Sequence, residues 1–139
     1  FKVGPGHGAP PQNIRLGADD FLLDHLGGGF DLLYFTEGPA IPDALQKVVA
    51  EIRLKGVPLR VVAVGAAEPV AGADLILADA DGHFRARYGV RASGAAYLLR
   101  PDQHICARWM SLDAGRLQSA LTTALGGTAS TTVSVQKGV

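Results

Sequence analysis

The chain has 139 residues, 47% hydrophobic and 19% charged, with 13 basic and 13 acidic side chains and zero formal net charge. That length suits one domain with one core, and the charge balance argues against the basic patch or stripe of a nucleic-acid binder. One cysteine cannot form an internal disulfide and fits a reducing, cytoplasmic setting, and no apolar run approaches the roughly 18 residues of a membrane-crossing helix. The chain begins Phe1-Lys2-Val3, with neither an initiator Met nor a signal peptide, as a piece of a longer polypeptide would.

Residues 1–17 are rich in Gly and Pro and read as an extended lead-in, because Pro removes donors and keeps its neighbour out of the helical region. Asp19 and Asp20 then favour a short helix over residues 21–26, which Gly27, Gly28 and Gly29 end. Residues 30–35 (Phe-Asp-Leu-Leu-Tyr-Phe) form a strand expected to be buried on both faces apart from Asp31. Residues 36–41 are a loop, and Pro42 suits a first helical position. Leu45, Val48, Val49 and Ile52 follow as one helical stripe, closed by Gly56 and Pro58.

Residues 59–64 (Leu-Arg-Val-Val-Ala-Val) read as a second buried strand, residues 65–72 as a loop, and residues 75–77 as a short extra strand. Asp79 or Asp81 caps a helix that ends at Tyr88, where Gly89 takes the left-handed closing conformation without a Cβ cost. Residues 95–99 make an apolar strand, and Pro101-Asp102 a turn. Residues 104–109 then alternate, with Ile105, Ala107 and Trp109 on one face and His104, Cys106 and Arg108 on the other. Ser111 or Asp113 caps a last helix with the stripe Leu117, Ala120, Leu121, Ala124 and Leu125, stopped by Gly126 and Gly127. Residues 128–139 alternate Thr or Ser with Val and read as a tail or an edge strand.

Helices between the early strands require parallel crossovers, and the closing hairpin adds an antiparallel strand. The chain is therefore α/β, with a central mixed sheet of about four to five strands flanked by helices. This order resembles the thioredoxin-like fold over residues 18–127. In redox-active proteins of that kind the thiol sits where the first core strand meets its helix, whose N-terminus lowers the cysteine pKa. Peroxiredoxins carry Thr-x-x-Cys there, whereas this chain reads Thr36-Glu37-Gly38-Pro39 and has no nucleophile at that place. No proline stands at Ala92-Ser93-Gly94, before the hairpin, where thioredoxins carry one in cis.

Other motifs are weak. Cys106, in the second hairpin strand, is either a small half-buried hydrophobe or a thiol assisted by Arg108 or His104. Gly4-Pro5-Gly6-His7-Gly8-Ala9 matches Gly-x-Gly-x-x-Ala formally, but no strand precedes it and Pro10-Pro11 blocks a following helix. His7, His25, His83 and His104 form no pair at metal-ligand spacing. Arg100, Asp102 and Arg108 gather around the hairpin turn, either as a solvated rim or as a contact surface for another domain.

Several phrases together resemble one segment of a known family: Gly6-His7-Gly8-Ala9-Pro10, Leu26-Gly27-Gly28-Gly29-Phe30, Arg87-Tyr88-Gly89, and Leu99-Arg100-Pro101-Asp102 leading to Ala107-Arg108-Trp109. They are similar, over about residues 6–125, to the C-terminal thioredoxin-like domain of FAD-dependent aromatic hydroxylases. The relatives are the phenol, pentachlorophenol and 3-(3-hydroxyphenyl)propionate monooxygenases. The resemblance implies a parent enzyme that uses FAD, NAD(P)H and O₂ to hydroxylate a phenolic ring. It implies partners in upstream FAD and substrate domains of the same polypeptide, and a homodimer contact nearby. It places no catalytic, cofactor-binding or metal-binding residue in this segment. Two other readings stay open: a free-standing thioredoxin-like binding module, and a single-cysteine redox protein using Cys106.

Overall fold

The structure is a computed structural model that describes residues 13–17, 20–66, 68–79, 82–91 and 93–124. The Gly4–Ala9 match, Asp81, Leu125, the stop at Gly126 and Gly127, and the expected tail at 128–139 lie outside the described residues. The elements run β1 (Arg15–Gly17), β2 (Asp20–Phe21), a 3₁₀ turn (Leu22–His25), β3 (Phe30–Phe35), α1 (Asp43–Leu54), β4 (Leu59–Val64), β5 (Leu75–Leu77), α2 (His83–Tyr88), β6 (Ala96–Leu99), β7 (Ile105–Trp109) and α3 (Ala114–Ala124).

The main sheet has five strands in the order β5-β4-β3-β6-β7. β3 pairs in parallel with β4 and β4 with β5, while β6 pairs antiparallel with both β3 and β7. The mixed α/β class and the sequence of parallel crossovers followed by a hairpin are as expected. β1 and β2 form a separate antiparallel pair. Residues 15–17 and 20–21 are thus extended and paired, and the helical turn begins only at Leu22.

Alternation divides the core into two layers. On one face Leu32, Tyr34, Val61, Ala63, Ala96 and Leu98 meet α1 through Leu45, Val48, Val49 and Ile52, and α3 through Leu117 and Leu121. On the other, Leu33, Phe35, Val62, Val64, Tyr97 and Leu99 meet α2 through Phe84 and Tyr88, the 3₁₀ turn through Leu22, Leu26 just after it, and Ile14 from the lead-in. Phe35, Phe84, Tyr88 and Tyr97 stack there at tilted and edge-on angles, with ring centroids 4.9–6.4 Å apart. The Tyr97 hydroxyl donates to the Tyr88 carbonyl at 2.5 Å, so the phenol is satisfied as well as buried.

Two expectations need correcting. Asp31 is buried, at 1% exposure, and does not face water. It lies opposite Arg60 in the parallel β3–β4 register. It accepts from Arg60 Nε at 2.9 Å and from the Gly27 amide at 2.8 Å, and the Arg60 guanidinium also reaches the His25 carbonyl. A buried carboxylate is tolerable when it is paired in this way.

The second concerns β7, whose alternation is broken. Leu98 pairs with Ala107, but Leu99 pairs with Ile105, leaving Cys106 as the extra residue of a β-bulge. Ile105 therefore joins the α2 layer, while Ala107 and Trp109 pack with the α1–α3 layer.

Candidate functional site

Ligands of open α/β sheets sit at the carboxyl ends of the strands. Here the ends of β3 and β4 deliver Thr36, Glu37 and Val64 to one small crevice. Its walls are Phe35, Thr36, Glu37, Val64, Arg85, Arg91 and Ser93, around about 50 Å³. Thr36 is pinned because its amide donates to the Val64 carbonyl at 2.9 Å. Its hydroxyl oxygen accepts the Gly38 amide at 3.0 Å, which shapes the loop toward α1. Gly65 has a positive φ, and a Cβ there would meet the Thr36 carbonyl at 3.3 Å, so the two strand ends approach closely only with glycine.

Asp79 organises the opposite wall. Its two carboxylate oxygens accept the amides of Phe84 at 2.9 Å and Arg85 at 3.0 Å, capping α2 from outside the helix. Gly82 can therefore occupy the cap position itself in the left-handed conformation, and Gly89 closes the far end in the same conformation. Arg85 is held between two acids, with Nε 3.2 Å from Asp79 and Nη1 2.7 Å from Glu37.

The remaining sequence candidates lie elsewhere. Arg100 and Asp102 pair with each other at the hairpin turn, at 3.2 and 2.9 Å, both largely exposed. Asp102 also accepts the His104 amide at 3.1 Å. The Arg100 guanidinium, with that amide, lowers the Asp102 carboxyl pKa to about 2. Arg108 is not part of this pair; it lies opposite Tyr97 in the β6–β7 register and borders a different hollow. That hollow, of about 700 Å³, runs between β7 and α3 and takes in Cys106, Arg108, Trp109, Arg116 and Ala120.

Cys106 is half-buried and free, and burial pushes its thiol pKa up, against a thiolate role. It stands on the edge strand β7, away from the loop after β3 that carries Thr36 and Pro39.

Gln103 escaped the sequence reading. It has a φ of 71°, and its side-chain amide donates to the carbonyls of Leu23 and Leu26 at 2.9 Å each, fastening the hairpin to the 3₁₀ turn. Arg91 and Ser93 escaped it too. They follow Gly89, past the end of α2, and no periodicity signals which strand end such a loop will meet.

Among the described residues, no group of three or more His, Cys, Asp or Glu could hold a metal, and no helix is long and apolar enough to cross a membrane. Nor do they fit a dinucleotide. Gly27, Gly28 and Gly29 precede a strand and open no helix, and a Cβ at Gly29 would press on Pro58 at 3.0 Å. The loop that does open a helix, between β3 and α1, carries the acidic Glu37 where a pyrophosphate would need amides and positive charge.

Over 123 residues, 87% of the chain, the sequence is 36% identical to a 4-methyl-5-nitrocatechol 5-monooxygenase of Burkholderia sp. The chain is homologous to a segment of a monooxygenase. It spans 20% of that relative. Among solved structures it is similar to an aklavinone-11 hydroxylase in a ternary complex with FAD and aklavinone (TM-score 0.57, 27% identity), covering 84% of this chain and 20% of that one. The substrate-free rebeccamycin biosynthetic enzyme RebC gives a TM-score of 0.60 at 25% identity, over 88% of this chain and 20% of that one. The flavin-dependent monooxygenase PieE, in complex with FAD and substrate, shares the fold, with a TM-score of 0.64 at 24% identity, over 90% of this chain and 21% of that one. No protein-family model matches the chain. The resemblance to FAD-dependent hydroxylases drawn from the sequence is borne out.

Proposed function

We propose that this chain is the redox-inactive, thioredoxin-like C-terminal domain of a cytoplasmic, FAD-dependent aromatic-ring monooxygenase, serving an accessory, structural role. The observation that carries this reading is the 36% identity across 87% of the chain to one fifth of a catechol-type monooxygenase. FAD and NAD(P)H belong to the parent enzyme, where the flavin supplies the oxygen chemistry. This segment contributes packing. The strand order, with α1 and α3 on one face and α2 on the other, supports the thioredoxin-like reading. Pro39 at the thiol position and the raised pKa of Cys106 support the absence of redox chemistry. The hairpin, with Arg100 and Asp102 at its turn and Arg108 farther along β7, is the surface offered to the upstream FAD and substrate domains, and a homodimer contact is the second partner.

Titrating FAD into the 139-residue chain and following flavin fluorescence tests this. No saturable quenching is expected at tens of micromolar FAD, nor any NAD(P)H oxidation, while a longer polypeptide containing the flavin domain should be yellow and consume NAD(P)H faster with a phenol present. Stoichiometric, saturable quenching by the chain alone would overturn the reading.

A further inference from the structure

The α1–α3 layer is left open where the sheet ends. On α3, Leu117 and Leu121 are buried, but Ala120 and Ala124, on the same apolar stripe, are only half-covered. On β7, Trp109 is half-covered as well. These three residues line the hollow of about 700 Å³ between the two elements. Arg116 and Asp113, also on its wall, pair with each other at 3.6 Å, both largely exposed. β7 is the last strand of the sheet, with β6 on one side and no strand on the other among the described residues. An open strand edge beside an apolar hollow suits an added strand: backbone groups at the edge bind it, and the hollow takes every second side chain.

One stretch of this chain has that pattern. Residues 132–136 read Thr-Val-Ser-Val-Gln, with Val133 and Val135 two apart and polar residues between and around them. Thr and Val favour extended backbone, and no Gly, Pro, Asn or Asp stands from residue 128 to residue 137 to turn the chain. The stretch matches the five residues of β7 in length. The route to that edge within its own molecule is unfavourable. α3 returns along β7 after the connection 110–113 and ends near the strand's start. A direct parallel return would have the disfavoured crossover hand. An antiparallel one must first go back along α3, whose 11 residues span about 16 Å. That takes about five extended residues from Gly126, and a reversal of about four residues would then consume Val133.

We propose that residues 132–136 of a second copy of the chain add as a strand to the free edge of β7, with Val133 and Val135 in the hollow against α3. Reciprocal exchange of the two segments closes the pair about a two-fold axis and leaves no third site. This places the homodimer contact of the accessory-domain reading, on which it rests for the partner alone; the FAD titration tests that reading, and the mass of the chain in solution tests this contact.

The test is sedimentation of the 139-residue chain at up to hundreds of micromolar. The chain should approach a two-chain mass, and a chain ending at Leu125 should keep a one-chain mass with a native amide spectrum. In the full chain, Val133→Asp with Val135→Asp should weaken association about tenfold or more, since two charges would have to enter an apolar hollow. Ala120→Gln, which fills the hollow from α3, should weaken it too, whereas Ser134→Ala, on the outward face of the added strand, should not. The β7 amides should gain protection from exchange as the concentration of the full chain rises. A one-chain mass throughout, a two-chain mass that survives truncation at Leu125, or a doubly substituted Val133→Asp, Val135→Asp chain of unchanged association would each overturn the proposal. Contacts between residues 132–136 and β7 in a one-chain species would overturn it as well, because the added strand would then be the molecule's own.

Discussion

Asp102 shows how an exposed residue can still be tightly specified. It sits in a turn, yet Arg100 takes both its oxygens and the His104 amide adds a third donor. Its pKa falls to about 2 for those reasons, against roughly 3.9 in an unfolded chain. A depressed carboxyl stabilises the fold above the unfolded value and loses that contribution as pH falls through the folded one. The Asp102 side-chain carboxyl resonance should therefore titrate near 2, and Arg100→Gln should move its midpoint upward. Asp31 is the buried counterpart. Arg60→Met leaves that carboxylate buried without its cation and should cost about 3–5 kcal/mol, read from urea midpoints. Asp31→Asn leaves the half-exposed Arg60 free to hydrate and should cost less, about 1–2 kcal/mol. Equal losses would mean that the burial of Asp31 is not what makes the pair matter.

β6 was the most readable element and β7 the least. Ala96–Leu99 is apolar at every position, as a central strand buried on both faces must be, and Tyr97 and Leu99 share one layer while Leu98 faces the other. Leu98→Ala and Leu99→Ala should each cost roughly 2–5 kcal/mol as core truncations; an unchanged melting midpoint in both would contradict this placement. In β7 the period-2 pattern is intact from Ile105 to Trp109, and a bulge has no signature in such a pattern, so alternation alone groups Ile105 with Ala107 and Trp109 although the bulge at Cys106 turns it to the other layer. Asp31 departs from the strand's expected pattern for a related reason. A charged residue inside an apolar strand looks like a solvent-facing exception until Arg60, 29 residues later, is seen to lie opposite it. The crevice was half legible. Thr36, Glu37 and Pro39 were placed by the strand–loop–helix order, but Arg91 and Ser93 depend on where the chain goes after α2. Gln103 tests the hairpin: Gln103→Ala removes the donor to two carbonyls and should cost about 1–3 kcal/mol, while Gln103→Gly should recover part of that by relaxing the positive φ.

At the scale of the molecule, the thiol and the crevice at the strand ends are separate features. The crevice opens at the carboxyl ends of β3 and β4, and Cys106 stands in the bulge of the edge strand β7, with its thiol disfavoured as an anion. Thiol-dependent reduction of insulin disulfides or peroxides should therefore not exceed buffer rates. Cys106→Ser should change stability by no more than about 1.5 kcal/mol, as a near-isosteric swap at a half-buried site. Turnover that vanished in Cys106→Ser would show that the bulge is a reaction site after all.

The pairing pattern also limits what may follow α3. β7 is antiparallel to β6, and β6 to β3, so β7 runs in the direction of β3. α1 and α3 cover the same face, and the step from β3 through α1 to β4 moves toward the β5 side of the sheet. A strand leaving α3 to run alongside β7 on its free edge would move the opposite way under the same face, which makes a left-handed crossover. Such crossovers are almost never formed, right-handed ones accounting for about 98% of parallel connections. A parallel strand is thus disfavoured on the free edge of β7 for a chain leaving α3, while handedness sets no limit on an antiparallel one or on a strand from another chain.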